Sequence, residues 1–189
     1  MLKRTLAIAS LLLLTACANV VYQVKGDEPI QETETRSLGT VVDDSALETK
    51  VKVAILQSDD RFKDARIKVI SYNGKILLIG QVPEKDLYGK ATVAANSLSS
   101  VKAVHNELTV ESNIGVKIRT SDAWLKTKVS SRMFTEDGFP SRKIDVYVEN
   151  GVVYLMGIVD AATEKQAAEL ANSVDGVQKV VKVFERPKT

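Results

Sequence analysis

The side chains that most often carry chemistry are scarce in this chain of 189 residues. It has one cysteine, Cys17, and one histidine, His105. A single thiol excludes an intrachain disulfide, and together with one imidazole it cannot build a His/Cys metal cluster. The sequence also lacks a calcium-loop spacing, a nucleophile elbow, a phosphate loop, a dinucleotide fingerprint and a pair of catalytic carboxylates. We therefore expect no metal site, no cofactor, no small-molecule substrate and no enzymatic activity, and we assign His105 a structural role.

Cys17 closes a segment with the parts of an export signal. Lys3 and Arg4 give it a positive start. Residues 6–14 form an apolar centre that is too short for the roughly 20 residues of a membrane-spanning helix. The segment ends in Leu-Thr-Ala-Cys, which resembles the lipobox of bacterial lipoproteins. An ordinary signal peptide with a coincidental cysteine is the alternative.

The lipobox resemblance implies that residues 1–16 are removed as a signal peptide and that Cys17 is acylated. Because Ala18 rather than aspartate follows the cysteine, the resemblance also implies sorting to the outer membrane. Each buried methylene of an acyl chain contributes about 0.8 kcal/mol, so that two or more chains anchor a protein stably. Residues 17–40 are polar and show no period of 2 or 3.6, and we interpret them as a flexible lipidated tether.

Net charge excludes one class of partner. Without Lys3 and Arg4 the chain carries 24 basic and 24 acidic side chains and is formally neutral. A neutral chain does not bind nucleic acid through its overall charge. An anionic partner would have to be met by a local basic patch.

Such a patch is predicted around Trp124, the only tryptophan. Trp124, Lys128 and Arg132 recur at every fourth position and therefore share one face of a helix. An indole ring favours the headgroup depth of a bilayer, and each nearby cation contributes about 1 kcal/mol against an anionic leaflet. The alternative is that Trp124 covers a sheet edge or another domain while the cations are only solvated. The residues predicted to bind anionic phospholipid are Trp124, Lys126, Lys128, Val129, Arg132 and Phe134, and Phe139 and Arg142 could extend the patch.

The stretch that must position these side chains occurs twice, at 67–82 and at 144–159. Each copy places an Asn-Gly pair between two runs rich in β-branched residues. Asn and Gly tolerate the positive φ angles of a type I′ turn, so each copy predicts a β-hairpin. A further glycine, six residues after the first, predicts a bulge or a close backbone approach in the returning strand. The residues expected to define the hairpins are Asn73, Gly74, Gly80, Asn150, Gly151 and Gly157.

Helical patterns flank both hairpins in the same order. Asp43 with Asp44, and Ser121 with Asp122, are typical of N-caps ahead of apolar helix stripes. An alanine-rich helix and a final strand follow each hairpin. We therefore predict an α+β fold of two tandem domains, each α-β-β-α-β, with two helices packed on a three-stranded mixed sheet. The predicted boundaries are 41–110 for domain 1, 111–120 for a short linker and 121–186 for domain 2.

The repeated glycine pattern, together with Val101 in the first copy and Gly176-Val177 in the second, resembles the BON domain. Two such domains behind a lipobox are similar to outer-membrane lipoproteins of that family in Gram-negative bacteria. One departure is Ser100, which stands where the family has glycine. Because glycine often ends a helix at positive φ, we expect the second helix of domain 1 to end differently.

The family resemblance implies a non-enzymatic protein that is lipid-anchored at the periplasmic face of the outer membrane. It further implies binding of anionic phospholipid by domain 2, a role in envelope integrity at division sites, and contact with the outer-membrane assembly machinery. The alternative is a protein-interaction scaffold that reaches the membrane only through its acyl chains. In that case the sheets or the Trp124 patch would bind an envelope protein.

Overall fold

A computed structural model of the chain describes residues 36–111 and 116–187, with the backbone alone for 116–120. Cys17, the predicted signal peptide and the predicted tether up to residue 35 lie outside the described residues. Within the described part, none of the helices combines the length and the hydrophobicity that crossing a bilayer requires.

The described chain consists of two repeats with the same order of elements, which confirms the predicted α-β-β-α-β plan. The first repeat contains α1 (Leu38–Ser58), β1 (Arg66–Tyr72), β2 (Lys75–Val82), α2 (Lys85–Asn96) and β3 (Ala103–Val110). The second contains α3 (Val116–Phe134), β4 (Ile144–Glu149), β5 (Val152–Ile158), α4 (Ala161–Asn172) and β6 (Lys179–Glu185). A 3₁₀ turn precedes each hairpin, at Asp60–Asp64 and at Ser141–Lys143.

Each repeat forms its own three-stranded mixed sheet, in the orders β1-β2-β3 and β4-β5-β6. The first two strands of each sheet are antiparallel, and the third is parallel to the central strand. Both Asn-Gly pairs adopt positive φ, with 52° and 77° in the first hairpin and 50° and 74° in the second. These values fit a type I′ turn and confirm the two hairpins.

The later glycine of each hairpin is required by a close backbone approach. A Cβ on Gly80 would overlap the carbonyl oxygen of Arg66, and a Cβ on Gly157 would overlap that of Lys143. The prediction of a close approach in the returning strand is therefore confirmed in both copies.

The helices of each repeat cover one face of their sheet and form a separate core with it. In domain 1 the buried stripe of α1 is Leu47, Val51 and Ile55. In domain 2 the matching stripe of α3 is Leu125, Val129 and Met133. Both stripes follow the helical spacing predicted from sequence.

The remaining face of each sheet packs against the other sheet, because alternate side chains of a strand point to opposite faces. This third core joins Ile70, Tyr72, Leu77 and Ile79 of domain 1 to Tyr154, Met156 and Val183 of domain 2. The two domains thus form four layers, with a helical layer on each outer side, and belong to one compact unit. Each sheet therefore covers the inner face of the other, so a partner protein that binds the sheets would have to reach them at their edges.

Both first helices begin earlier than predicted. Helix α1 starts at Leu38, capped by Ser37, whose Oγ accepts a hydrogen bond of 3.1 Å from the backbone N–H of Thr40. Helix α3 starts at Val116. The predicted boundaries at 41 and 121 therefore fall inside these helices. The apolar period begins only where each helix reaches its sheet. The first turns of both helices therefore carry no periodic pattern from which they could be predicted.

Ser100 leaves the length of its helix unchanged, but the last hydrogen bond differs: the Ser97 N–H donates to Ala94 O over 3.4 Å in α2, whereas the Ser173 N–H donates to Glu169 O over 3.0 Å in α4. Helices α2 and α4 each span 12 residues. The turn that follows is the same in both, since Val101 N–H donates to Leu98 O over 3.0 Å and Val177 N–H to Val174 O over 3.2 Å. The local backbone also differs, because Gly176 has a φ of 101° whereas the φ of Ser100 is not positive.

Candidate functional site

A buried aspartate fixes the first helix of each domain to its own hairpin. Asp122 accepts hydrogen bonds from the backbone N–H groups of Asn150 (2.8 Å) and Gly151 (2.9 Å). This contact holds α3 in place only two residues before Trp124. Asp122 lies inside the helix, so the prediction that it caps the helix N-terminus is wrong.

Asp44 makes the equivalent contact in domain 1. It accepts from the N–H groups of Asn73 (2.7 Å) and Gly74 (2.9 Å) and from the hydroxyl of Ser71 (2.6 Å). Burial raises the pKa of Asp44, but these hydrogen bonds and one from Arg36 outweigh it and hold the pKa below its ordinary value. The sequence analysis did not predict that these aspartates bind the hairpin turns. The pattern that could have indicated it is an aspartate 28 or 29 residues before each Asn-Gly pair.

Two aromatic side chains protrude from the outer side of α3. Trp124 is 64% exposed and Phe134 is 73% exposed. They are ten residues apart, which corresponds to about 15 Å along the helix axis. Thr127 and Ser131 lie between them and are also exposed. We call these four residues the aromatic strip.

The aromatic strip is less polar than its sequence suggests. The hydroxyl of Thr127 donates to the carbonyl of Ala123 over 3.1 Å. A threonine whose hydroxyl is satisfied by its own helix offers mainly its methyl group to a neighbour. The strip therefore presents two large aromatic rings joined by small side chains.

The cations near the strip are partly engaged. The Nζ atom of Lys128 donates to the carbonyl oxygen of Asp175 over 2.7 Å. Arg132 forms an ion pair of 2.6 Å with Glu136 and remains 41% exposed. Both side chains stay partly accessible on one flank of the strip.

Two of the six predicted lipid-binding residues lie elsewhere. Val129 is fully buried in the core of domain 2, so its prediction as a lipid contact is wrong. The sequence already indicated this burial, because Val129 lies midway between Leu125 and Met133 in the core stripe. Lys126 lies on another side of the helix, with its Nζ atom 5.4 Å from the ring centroid of Tyr147. The structure thus leaves Trp124 and Phe134 exposed and Lys128 and Arg132 partly exposed, and it places Lys126 against Tyr147.

A groove of about 390 Å³ opens beside Phe134, between α3 and β4. Its walls combine apolar side chains with a polar rim that includes the exposed Arg142. Phe139 is buried in the core and does not reach the surface as the sequence suggested. The groove is lined by Ser130, Ser131, Met133, Phe134, Ser141, Arg142, Ile144 and Val146.

Domain 1 has no counterpart of the aromatic strip. Ala46 occupies the position of Trp124, two residues after the buried aspartate, and is exposed. Leu56 occupies the position of Phe134 and is 39% exposed. The aromatic strip therefore has no match at the equivalent positions of α1.

His105 lies on β3, opposite Leu77 in the parallel register. Burial and the charge of Lys75 lower the pKa of the imidazole from its ordinary value. Within the described residues, no group of three or more His, Cys, Asp or Glu side chains is arranged to hold a metal ion.

Comparison with known proteins identifies the repeats. The BON domain model matches residues 43–112 and 121–186. The chain is 40% identical over 152 residues to the outer membrane lipoprotein DolP of Haemophilus influenzae, which covers 80% of this chain and 79% of that protein. It is 37% identical to the 21 kDa hemolysin of Actinobacillus pleuropneumoniae, over 79% of this chain and 77% of that protein. It is also 30% identical to the osmotically-inducible protein Y of Escherichia coli, over 79% and 75% of the two chains. These matches confirm the resemblance seen in the sequence, and the chain belongs to the BON domain family, with two copies of that domain.

Proposed function

We propose that this protein is an outer-membrane lipoprotein whose second BON domain docks on anionic phospholipid at the periplasmic face. The lipobox at residues 14–17 and the similarity to an outer membrane lipoprotein support the anchor and the location. The observation that carries the docking is the exposure of Trp124 and Phe134 on one side of a single helix.

The aromatic strip supplies the apolar part of the contact. A fully buried Trp or Phe side chain removes about 150–250 Å² from water, and about 25 cal/mol is gained per Å² of apolar surface. At the observed exposures, Trp124 and Phe134 would each contribute roughly 2–3 kcal/mol on entering the interface. Contacts of this size are weak alone, but they become effective when an acyl anchor and a short tether keep the domain near the bilayer.

The cations supply the preference for anionic lipid. Lys128 and Arg142 flank the strip and the groove, and each would contribute about 1 kcal/mol beside an anionic leaflet. Arg132 contributes less, because Glu136 already neutralises it. The groove beside Phe134 offers an apolar wall for part of an acyl chain, while Arg142 at its rim can meet a phosphate.

The sole tryptophan allows a direct test with a soluble form that begins at residue 18. Adding phosphatidylglycerol liposomes is expected to shift the Trp124 emission to the blue, and salt should reduce the shift. Phosphatidylcholine liposomes should give no shift. If neither lipid shifts the emission of a folded sample, α3 does not enter the interface and the docking proposal fails.

A matched pair of variants separates the proposed surface from general effects of charge. Trp124→Glu is expected to abolish flotation with phosphatidylglycerol liposomes, because it places a carboxylate in the aromatic strip. Ala46→Glu makes the equivalent change on α1 and should leave flotation unchanged. Equal losses in both variants would contradict docking through domain 2.

The anchor is tested separately in cells. We propose that residues 1–16 are removed and that Cys17 is acylated. Cys17→Ser is expected to abolish incorporation of labelled palmitate and to release the protein from the membrane fraction. Unchanged labelling would refute the anchor. Roles in envelope integrity and at division sites, and contact with the outer-membrane assembly machinery, stay predictions from the family resemblance.

A further inference from the structure

Strand β1 lies at the edge of the first sheet. The two-residue turn at Asn73 and Gly74 makes Tyr72 and Lys75 a hydrogen-bonded pair, and the register then alternates along the hairpin. Ile67, Val69 and Ser71 are consequently the residues whose N–H and C=O groups point away from β2. An edge of this kind is a template for another strand.

One end of the edge is already closed. The Ser71 N–H donates to Oε1 of Glu48 over 2.9 Å, and its carbonyl accepts from the guanidinium of Arg36 over 3.3 Å. Arg36 is itself fixed by ion pairs with Asp44 (3.1 Å) and Asp145 (2.6 Å). No strand or side chain in the described part of the chain closes the edge in this way at Ile67 and Val69.

The open part of the edge runs between two grooves, one on each face of the sheet. On the helical face lies an apolar groove of about 220 Å³. On the face toward domain 2 lies a basic cleft of about 400 Å³. The apolar groove is lined by Lys52, Ile55, Leu56, Phe62, Ala65, Arg66, Ile67 and Val69. The basic cleft is lined by Arg66, Lys68, Val69, Ile70, Ile79, Asp122, Ala123, Lys126, Tyr147 and Val148.

The charge of the basic cleft favours an acidic side chain. Lys68 pairs with the buried Glu149 at 2.8 Å, and Arg66 bonds to the same carboxylate. The carboxylate of Asp122 is turned toward the hairpin of domain 2. Lys126 lies over the ring of Tyr147, and no carboxylate of the described residues pairs with it. An incoming carboxylate would therefore meet Lys126 as a cation without an anionic partner.

We propose that the open edge of β1 binds an extended segment of a partner protein as a fourth strand of the first sheet. Successive side chains of a strand point to opposite faces. The segment would thus place acidic side chains in the basic cleft and apolar side chains in the apolar groove, while its backbone bonds to Ile67 and Val69. Because Glu48 and Arg36 close the edge at Ser71, the paired segment is short, about four to five residues.

Two of the other edges are less suited to this role. On β3 the carbonyl of Asn106 already accepts from the Tyr88 hydroxyl over 2.8 Å. The open side of β4 borders the groove beside Phe134, which belongs to the proposed lipid surface. The β1 edge is separate from the aromatic strip, so this proposal does not depend on lipid docking.

The test uses the chain from residue 18 onward and two synthetic eight-residue peptides with blocked ends. One peptide alternates isoleucine with glutamate, and the other alternates isoleucine with lysine. Amide hydrogen exchange is followed by NMR at Ile67 and Val69. At millimolar concentration the glutamate peptide is expected to slow exchange at both amides at least tenfold, and the lysine peptide should have no effect.

Two variants locate the binding. Val69→Pro removes an outward N–H that the β1–β2 ladder does not use, a change that edge strands tolerate, and should abolish the protection at Ile67. Lys126→Glu should weaken binding of the glutamate peptide at least tenfold. Its matched control, Lys128→Glu, changes another surface lysine of α3 away from the cleft and should leave peptide binding unchanged.

Several results would overturn the proposal. These are unchanged exchange with the glutamate peptide, equal protection by both peptides, or equal weakening by the two lysine substitutions. Protection that exists before any peptide is added, and disappears when residues 18–35 are deleted, would show that the chain's own tether occupies the edge.

Discussion

Removing the buried aspartate of α3 should destabilise the protein far more than removing its exposed neighbour. In Asp122→Ala, the backbone N–H groups of Asn150 and Gly151 lose their acceptor. Both groups belong to the turn that starts β5, so the change disturbs the hairpin and the attachment of α3 together.

The magnitude follows from these two bonds. A hydrogen bond to a charged group contributes about 1.5–3 kcal/mol, and a donor left unsatisfied in a buried place costs a comparable amount. Part of the loss is offset because the carboxylate no longer has to be desolvated. We expect Asp122→Ala to lower the free energy of unfolding by about 3 kcal/mol. Asp44→Ala should cost at least as much, because Asp44 also accepts from Ser71 and Arg36.

The assay is equilibrium unfolding in urea, followed by Trp124 emission and by far-UV circular dichroism. Ser121→Ala and Asp43→Ala are the matched controls, because each removes an exposed side chain next to a buried aspartate. Exposed substitutions of this kind usually change stability by less than about 0.5 kcal/mol. If Asp122→Ala and Ser121→Ala had the same urea midpoint, the aspartate would not fix the hairpin and the reasoning would fail.

Three further predictions concern the backbone, the domain interface and pH. Gly157→Ala should lower the free energy of unfolding by at least about 2 kcal/mol, because the new Cβ would overlap the Lys143 carbonyl. Gly89 lies in α2 with open space around it, so Gly89→Ala should raise the free energy of unfolding by about 0.5–1 kcal/mol. Urea midpoints measure both changes. Met156→Ala, at the centre of the sheet-to-sheet core, should cost about 2–5 kcal/mol, and an unchanged melting temperature would contradict that core. Burial raises the pKa of Glu149, but hydrogen bonds from Lys68 and Gln81 lower that pKa below the ordinary 4.5. The contribution of Glu149 to stability is therefore complete above pH 4.5 and is lost as the pH falls through the folded-state pKa. Glu149→Gln should flatten the fall of the urea midpoint below pH 4.5, and an unchanged slope would refute this.

Local patterns were sufficient for the fold of each domain. The Asn-Gly turns, the alternation of the strands and the helical stripes all depend on neighbours within a few residues. The run Ile76–Ile79 is apolar at every position, and all four side chains are buried. A strand of this kind must be covered on both faces. The sequence could not show that the second cover is the sheet of the other domain, because that pairing depends on residues some 75 positions away.

Distant polar contacts were the part that sequence reasoning interpreted wrongly. Asp44 and Asp122 each stand ahead of an apolar stripe, which is also the pattern of an N-cap. Only the approach of the hairpin in three dimensions distinguishes the two roles. The candidate site also combines local and distant effects. Helical spacing places Trp124, Lys128 and Arg132 near one another, whereas the hydrogen bond of Lys128 to Asp175 and the ion pair of Arg132 with Glu136 appear only in the structure.

The structure also accounts for two copies of the domain when only one carries the aromatic strip. Domain 2 needs a cover for the sheet face that bears Tyr154 and Met156, and domain 1 supplies it. Domain 1 also brings Gln81, together with two cations, to the buried carboxylate of Glu149. Without domain 1 the apolar sheet face that bears Tyr154 and Met156 would be exposed to water. Domain 1 therefore stabilises the framework that carries α3, even though Ala46 gives it no aromatic ring of its own at the proposed docking position.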